Sequence, residues 1–527
     1  MSICHFARAD ANILLALKAF AEQKIEKYDV SWYVFRRLAS QGATITVHKR
    51  GNVMSLDQFL RDRMNRNFKH RACSRSQTTG LRPMLLAIIV MSVSLANADE
   101  PEPIPLTMVD VDTTVRAFGA GGDGVSDDTE AIQNAINAGS TAIRLPRGTY
   151  RISKPLVVDL DKVGVTSIVG DGTARIMMTG PGPAIRFVGT HQGTASPKTV
   201  KSNVWQKERM PLVDGIEIIG THDEADGIEA VRTMQLTISR VIIRHTRHAI
   251  HLVERNRNVI LSDCHLYENH GVGVFLDNVD LHQINLSACH VSYNDGGGFV
   301  SKGGNVRNIH ISGCDLEANV QNVLIDSDGS KYGTAEVAIT GCTIQHSGGP
   351  GSANVRFIGA NPEGERCWGL VTIANNILSD VETNIDIQQA RDVIINGNTI
   401  SSGYKFNLRV EDSMNVVVGP NVLARNPPYR DEDTCDNAVL FRNCNGGTIT
   451  GLHVHETRRT EAGIMLDACR RFHMTGCTVL DCDNAGLLLK NLEDCQITGN
   501  MLRHGTATKE KWQPMIVLGG RETKIAP

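Results

Sequence analysis

The sequence of 527 residues predicts an all-β solenoid, in which short strands wind into coils that stack on one another. A phrase of alternating apolar residues recurs along the chain, for example at 258–266 (NVILSDCHL), 308–316 (NIHISGCDL) and 393–400 (VIINGNTI). Its marker residue returns after steps of 25, 25, 28, 34, 22 and 23 residues, and no helical periodicity accompanies it. Because one such coil cannot bury its own apolar face, stacking must supply the core.

The marker position of each phrase holds a cysteine, an asparagine or, once, a leucine. The series is Cys264, Cys289, Cys314, Cys342, Asn376, Asn398, Asn421, Leu452, Cys477 and Asn500. We predict that these side chains stack in the interior, with the cysteines as small apolar core residues and not as disulfide partners. None of the 13 cysteines forms a C-x-x-C pair, so no zinc site is predicted.

The N-terminal region shows the pattern of an export signal. Residues 84–98, MLLAIIVMSVSLANA, form an apolar stretch that ends in an A-x-A site and is too short to span a bilayer. We predict a signal peptide at 64–98 and a secreted, periplasmic or cell-surface protein without a membrane span; a buried helix or a membrane anchor is the alternative. The other predicted segments are a gene-model extension or disordered region at 1–63, a linker at 99–112, the solenoid at 113–520 and a tail at 521–527.

The start of the solenoid carries a helix signal. Ser126, Asp127 or Asp128 can cap a helix in which Ala131, Ile132, Ala135 and Ile136 recur at helical spacing. We expect this helix to cover the open end of the first coil.

The runs FGAGGDGVSDDTEAIQNAI and LPRGTYRI closely resemble the N-terminal signature of the pectate-lyase superfamily, in particular its rhamnogalacturonase/epimerase-like group, and are similar to the opening of polygalacturonases. With the repeats, the resemblance covers about residues 110–520. It implies a single-stranded right-handed parallel β-helix, pectin-lyase-like, with an N-terminal capping helix and a polysaccharide substrate.

Each coil contains a second strand whose alternation predicts which side chains face outward. In this scheme His251 faces outward, and Phe299 and Ser301 do so in the GGGFVS strand. Asp226, His248 and His270 stand 22 residues apart, so we predict that they stack in one outward column at about 4.8 Å per coil. The resemblance to polygalacturonases implies catalytic carboxylates in this column; Asp226 and His270 match that pattern, whereas His248 replaces the aspartates.

This replacement bears on the chemistry. Inverting hydrolysis needs two carboxylates roughly 6.5–9.5 Å apart, and Glu229 is the second carboxylate available beside Asp226. A uronate lyase or C5-epimerase instead needs a base near neutral pKa and a cation. We predict His248 or His270 as this base, with His251 as a further candidate from the same histidine-rich segment.

Other residues are candidates for substrate contact. Asp226 orients the base or binds substrate, and Arg244 or Lys302 contacts an acidic sugar. Asp295 lies one coil beyond His270, and Trp205 lies in a basic insertion at 190–212 suited to an anionic chain. The alternative is a solvated face on which histidines merely fill strand positions.

A second outward surface carries charges of regularly alternating sign. Its members are Arg356, Asp386 and Arg409 in one column and Glu411, Arg442, Asp467 and Lys490 in the next. Such alternation is expected of a stabilising ladder, and a subsite for charged saccharide is the other interpretation.

We therefore predict a carbohydrate-active protein that acts on an acidic polysaccharide as a glycoside hydrolase or a uronate lyase/epimerase. A non-catalytic carbohydrate-binding or surface-structural solenoid is the alternative. A net charge near −3 and 5% aromatic residues give no indication of a nucleic-acid partner. No cofactor is predicted; calcium is compatible with the family resemblance, but no acidic run forms a specific ligand set.

Overall fold

The computed structural model describes residues 46–49, 52–55, 114–139, 142–426, 434–505 and 511–526, in two units. In the unit Met1–Met108, the strands Thr46–Lys49 and Asn52–Ser55 pair antiparallel. The unit Val109–Pro527 contains every other described element. The predicted signal peptide and linker lie outside the described residues. Among the described helices, none is long and apolar enough to cross a membrane.

The larger unit is a solenoid of three parallel sheets, which we call sheets A, B and C in the order in which each coil visits them. Every strand pairing described in this unit joins a strand to its counterpart one coil away, in parallel. This arrangement confirms the predicted parallel β-helix. Four long strands, Ser167–Met178, Leu212–Gly220, Ile250–Ser262 and Val272–Ser287, bend from one sheet into the next.

Sheet A carries the candidate site. Its strands are Leu156–Asp159, Gly182–Val188, Ala225–Val231, the first parts of Ile250–Ser262 and Val272–Ser287, Gly297–Lys302, Gln321–Asp326, Ala353–Ile358, Val381–Gln388, Gly403–Glu411, Ala438–Arg442, Ile464–Asp467, Ala485–Lys490 and Gln513–Leu518.

Sheet B follows each strand of sheet A. Its strands are Ala142–Leu145, the first parts of Ser167–Met178 and Leu212–Gly220, Thr237–Ser239, the second parts of Ile250–Ser262 and Val272–Ser287, Asn305–Ser312, Thr334–Thr340, Gly369–Ala374, Arg391–Asn396, Met414–Val418, Asn445–Thr450, Arg470–Thr475, Gln496–Thr498 and Lys524–Ile525. The last of these strands lies within the segment predicted as a tail.

Sheet C completes each coil. Its strands are Asp123–Asp127, Gly148–Ile152, the second parts of Ser167–Met178 and Leu212–Gly220, Ile242–Arg244, His265–Tyr267, His290–Ser292, Asp315–Glu317, Thr343–Gln345, Ile377–Leu378, Thr399–Ile400, Val422–Ala424, His453–His455, Thr478–Leu480 and Met501–Arg503.

Short helices gather at the N-terminal end of the solenoid. The α-helix Thr129–Asn137 buries Ile132, Ala135 and Ile136 in the common core. The side chain of Gln133 exchanges two hydrogen bonds with the backbone of Val157, at 2.8 and 2.9 Å, on the first strand of sheet A. The other helical segments are Val115–Phe118, Leu160–Val163, Pro197–Thr199 and the π-helix Val204–Glu208.

The predicted marker column lies at the turn between sheets B and C. All of its cysteines are buried and free, as the sequence predicts. The Cys342 amide donates to Asn376 Oδ1 at 3.0 Å, and Asn376 and Asn398 each donate through the side-chain amide to the next asparagine at 2.9 to 3.0 Å. Because Cys342, Asn376 and Asn398 each bond to the next coil, this part of the column ties successive turns together.

A second asparagine ladder, which the sequence did not reveal, begins on the turns between sheets C and A and continues within the strands of sheet A. Its members are Asn269, Asn294, Asn319, Asn322, Asn354, Asn384 and Asn407. Each Nδ2 donates to the Oδ1 of the next member at 2.7 to 2.9 Å, and every side chain is buried. The ladder therefore supports the turns that lead directly into sheet A.

One predicted orientation is wrong. Phe275 pairs with Val300 and Asp277 with Lys302, so Lys302 faces outward, while Phe299 and Ser301 are buried. The alternation predicts the wrong face because the strand begins with Gly297 and Gly298, directly after Gly296, and these residues carry no side chain that would show which face is buried.

Replacing a buried ladder residue should destabilise the protein. Asn384→Ala removes the acceptor of Asn354 and two donations, to Ser401 O and Asn407 Oδ1. We expect a loss of at least about 2 kcal/mol in the free energy of unfolding, because buried partners are left unpaired. The exposed Asn285→Ala is the matched control and should change it by less than about 0.5 kcal/mol. Denaturant melts of both variants check this, and equal effects would contradict it.

Candidate functional site

A histidine held between two carboxylates lies on the outward face of sheet A, in its early coils. His251 Nε2 lies 3.1 Å from Asp277 Oδ2, and His251 Nδ1 lies 3.7 Å from Glu229 Oε2. The side chains of His251 and Glu229 are 13% and 14% exposed, whereas that of Asp277 is 45% exposed. Asp277 is thus the member of this group that is most open to solvent, and it was not among the residues predicted from the sequence.

Parallel stacking brings these side chains together. Arg186, Glu229, His251 and Phe275 occupy the same register position in four successive coils. Arg186 Nε contacts Glu229 Oε1 at 2.8 Å, and the rings of His251 and Phe275 stack at 5.3 Å with an interplanar angle of 6°. We call Glu229, His248, His251, Phe275 and Asp277 the His251 cluster.

Asp226 has a structural role in this site. It is 1% exposed, and its two oxygens accept from Arg247 Nε and Nη2 at 2.9 and 2.6 Å. The amide of His248 adds a third hydrogen bond at 3.0 Å. The hydrogen bonds with Asp226 raise the pKa of Arg247, whose side chain is 44% exposed. Asp226 therefore positions a cation at the edge of the His251 cluster.

His248 is held as a hydrogen-bond donor. Its Nδ1 lies 3.1 Å from the Val272 amide, which can only donate, so Nδ1 accepts and a neutral ring carries its proton on Nε2. Burial, and to a smaller extent His251 and Arg247, lower the pKa of His248 to about 4 despite the opposing effect of Asp226. A neutral imidazole with Nε2–H does not suit the predicted role of base.

His270 does not join the predicted column. Ile228 pairs with Ile250 and Ile250 with Val274, so the coil length changes from 22 to 24 residues. His248 therefore lies opposite Val272, and the column prediction is wrong for His270. His270 is exposed on the turn before the strand Val272–Ser287, where its amide donates to Thr246 O at 2.9 Å. Asp295 is exposed on the same turn of the next coil.

The other predicted substrate contacts are dispersed. Arg244 lies on sheet C, where its Nε contacts Glu217 Oε1 at 2.9 Å. Trp205 is 36% exposed in the π-helix Val204–Glu208. Lys302 is exposed on sheet A, in register with Asp277 and Asp326. Of these three residues, Lys302 is in register with a member of the His251 cluster.

The alternating charges of the later coils form an ion-pair ladder. Asp386 is fully buried and accepts from Arg356 Nε at 2.6 Å and from Arg409 Nε and Nη2 at 2.9 and 2.7 Å. The hydrogen bonds with Asp386 raise the pKa of Arg409. The series continues through contacts of 3.0 to 4.0 Å along Arg409, Glu411, Arg442, Asp467 and Lys490. This geometry matches the stabilising interpretation, because Asp386 is covered and fully partnered.

An open groove of about 1010 Å³ runs along the corner between sheets A and B in the later coils. The lining includes the loop Gly364–Arg366 and the turn residues Gln389, Asp412, Asn443 and Asn491. Arg366 Nη1 reaches the Ser413 carbonyl at 3.2 Å from that loop. The polar groups of this groove come from turns that have no common motif, so no residue pattern in the sequence predicts its lining.

Metal binding finds no support in the geometry. Within the described part of the chain, no group of three or more His, Cys, Asp or Glu side chains is placed to hold a metal ion.

Comparison with known families covers most of the solenoid. Residues 113–209 match the family described as rhamnogalacturonase A/epimerase, pectate lyase-like, and residues 212–344 match the right-handed β-helix region. Residues 365–509 match the periplasmic copper-binding protein (NosD) family. The first two matches confirm the resemblance and the right-handed parallel β-helix predicted from the sequence. Among curated proteins, no sequence match was found.

Solved structures with similarity to the chain include tailspikes and an epimerase. Bacteriophage CBA120 tailspike protein 3 is 13% identical over 90% of this chain and 70% of its own, with a TM-score of 0.41. The A-module of the mannuronan C-5 epimerase AlgE4 from Azotobacter vinelandii is 15% identical over 79% of this chain and 100% of its own, with a TM-score of 0.38. A tailspike of E. coli bacteriophage HK620, solved with a pentasaccharide, is 12% identical over 78% and 80% of the two chains, with a TM-score of 0.43.

Loss of the Asp386 carboxylate should destabilise the chain without any ligand. Asp386→Asn leaves Arg356 and Arg409 facing each other without their shared counter-charge. We expect the free energy of unfolding to fall by about 3–5 kcal/mol. Asp467→Asn, at the more exposed end of the ladder, is the control and should cost about 0–1 kcal/mol. Chemical denaturation measures both, and a small effect of Asp386→Asn would favour the subsite interpretation.

The lowered pKa of His248 predicts a pH-dependent stability. The unfolded imidazole titrates near 6.5 and the folded one at about 4, so the unfolded chain binds more protons between these values. Stability is therefore fully present above pH 6.5 and declines as the pH falls towards 4. We expect His248→Asn, whose Oδ1 can replace Nδ1 as acceptor, to reduce this decline by roughly 1–3 kcal/mol. His310→Asn controls for the loss of an exposed imidazole, and identical pH profiles for the wild type and His248→Asn would contradict the prediction.

Proposed function

We propose that this right-handed parallel β-helix, whose first coils match the rhamnogalacturonase A/epimerase, pectate lyase-like family, abstracts the C5 proton of a uronate in an acidic polysaccharide. The reaction is that of a lyase or a C5-epimerase, and the His251 cluster is its site. The observation that carries the proposal is the exposed Asp277 carboxylate, held by His251 on a face bordered by cations.

The burial of the carboxylates favours proton abstraction over hydrolysis. Two-carboxylate hydrolysis requires an acid and a base that both reach the glycosidic bond. Asp226 is buried against Arg247, and Glu229 is largely covered and paired with Arg186. Asp277 is the well-exposed carboxylate of the group, so a mechanism with one base fits this face better.

Each neighbour has a role in the proposed step. Asp277 accepts the proton from C5, and its hydrogen bond with His251 fixes the orientation of the carboxylate. Arg247 and Lys302 supply positive charge for the uronate carboxylate, which becomes more negative as the proton leaves. Phe275 offers an aromatic surface beside the sugar ring. Glu229 Oε2, 3.7 Å from His251 Nδ1, lies on the other side of the imidazole and helps to hold the ring in place.

A second candidate function rests on the groove at the corner between sheets A and B. Amide, guanidinium and carboxylate groups line it, and these are the groups that bind saccharide hydroxyls. We propose it as a binding surface for the same polysaccharide, and as the main function if the His251 cluster is inactive. The periplasmic description of the family matched by residues 365–509 supports export of the protein.

Incubation with polygalacturonate and alginate in D₂O tests the proposal. If the enzyme is a C5-epimerase, reprotonation places deuterium at C5, which NMR detects. If it is a lyase, elimination leaves a double bond between C4 and C5, which ultraviolet absorbance detects. Asp277→Asn should reduce the rate by about 100-fold or more, and His251→Asn should also reduce it. The exposed His310→Ala is the matched control and should retain the wild-type rate.

Two results would overturn this assignment. Release of reducing ends with neither deuterium at C5 nor ultraviolet absorbance of unsaturated uronate indicates a hydrolase. Saccharide binding without any turnover indicates the groove function, and loss of that binding in Arg366→Ala would support it.

A further inference from the structure

A group of basic side chains lies beneath the segment 190–195, where the chain passes from sheet A to sheet B. Its members are His191, Arg255, Arg257, His282 and Arg307, which we call the basic cluster. Arg257, His282 and Arg307 occupy the same register position in three successive coils of sheet B. The cluster is separate from the His251 cluster, which lies on sheet A.

The basic cluster contains buried donors that lack acceptors. His191 is 0% exposed, and neither of its ring nitrogens has a hydrogen-bond partner. Nε and Nη2 of Arg255, Nε of Arg257 and Nδ1 of His282 are also buried without partners. Arg257 Nη1 donates to the Thr194 and Ala195 carbonyls at 2.8 and 2.7 Å, which brings the segment 190–195 over the cluster. Unpaired buried donors of this kind are rare in folded proteins.

The charges of the cluster are also unbalanced. Asp280 pairs with Arg255, and the exposed Glu336 is the other acidic group that acts on His282 and Arg307. Like charges on neighbouring strands are unfavourable. The later coils avoid them by placing Asp386 between Arg356 and Arg409, whereas a histidine stands between Arg257 and Arg307.

The titration of these groups reflects the same imbalance. Burial first, and then Arg255 and Arg257, lower the pKa of His191 to about 4. Burial, Arg257 and Arg255 likewise lower the pKa of His282. Burial and the neighbouring Arg255 lower the pKa of Arg257. The effect of the neighbouring arginines on these pKa values shows that positive charge is concentrated around the buried groups.

We propose that the basic cluster is a binding site for an oxyanion, such as a carboxylate, sulfate or phosphate group, over which the segment 190–195 closes. An oxyanion supplies several acceptors at once, and the forked guanidinium groups of Arg255 and Arg257 are suited to such ligands. The site lies on another sheet from the proposed chemistry and does not depend on it. Its ligand is either a free inorganic anion or an anionic group on a saccharide.

Titrations at constant ionic strength test the site, with chloride as the baseline. Inorganic sulfate, inorganic phosphate and trigalacturonate are added to the wild-type protein, and the melting temperature and tryptophan fluorescence are recorded. Trp205 lies in the loop that follows the covering segment and serves as a reporter. We expect a saturable rise in melting temperature beyond that in chloride. A response to trigalacturonate alone identifies a saccharide ligand, and a response to the inorganic anions identifies a simple oxyanion site.

Two variants separate binding from a structural role. His191→Leu and His282→Gln should keep or raise the melting temperature in chloride, because they remove the buried, unpaired imidazole of His191 and the buried, unpaired Nδ1 of the partly buried His282. Both should weaken the anion response at least 10-fold, whereas His310→Ala, an exposed histidine on the same sheet, should retain it. The proposal is overturned if no anion exceeds the chloride baseline. It is also overturned if His191→Leu lowers the melting temperature in chloride and leaves the anion response intact.

Discussion

In-register parallel stacking is the constraint on which the rest of this structure depends. Each residue of a strand lies opposite one residue of the next coil, so every inward polar group must find its partner directly above or below it. The two asparagine columns meet this demand, because an amide side chain both donates and accepts. In other coils a cysteine occupies the marker position. Its side chain is small, and its sulfur accepts a hydrogen bond from the backbone amide of the neighbouring cysteine.

The sequence predicts the positions of residues that recur at a regular spacing. It does not predict which residues stack where the length of the coil changes. The marker phrases establish the solenoid and the column Cys264 to Asn500, because these positions recur at the short turn between sheets B and C. The ladder from Asn269 to Asn407 escaped detection because one coil contributes both Asn319, on the turn, and Asn322, on the strand that follows, and because insertions lengthen later steps. His270 was misplaced for the same reason, since its coil is two residues longer than the one before.

Ion pairs could be predicted from the sequence where charges of opposite sign alternate in one column. They could not be predicted where a charged residue pairs with a residue outside its own column. Arg356, Asp386 and Arg409 were correctly grouped, because opposite signs at one register position meet directly. Asp226 looked like a catalytic carboxylate, but its partner Arg247 lies on the turn of the next coil, where alternation gives no orientation. The candidate site therefore centres on His251 and Glu229, both of which are candidates from the sequence, and on Asp277, which is found only when the register is known.

The contrast between the two halves of the solenoid bears on where ligands bind. In the later coils, each charged side chain of the sheet A ladder pairs with one of opposite sign on a neighbouring coil. The ladder therefore needs no counter-charge from a ligand. In the early coils, the same stacking holds an exposed carboxylate beside cations on sheet A and sets basic groups above one another on sheet B. Such mismatches cost stability in a fold that can readily supply partners. Their concentration in adjacent coils is expected if the missing partners are brought by a ligand.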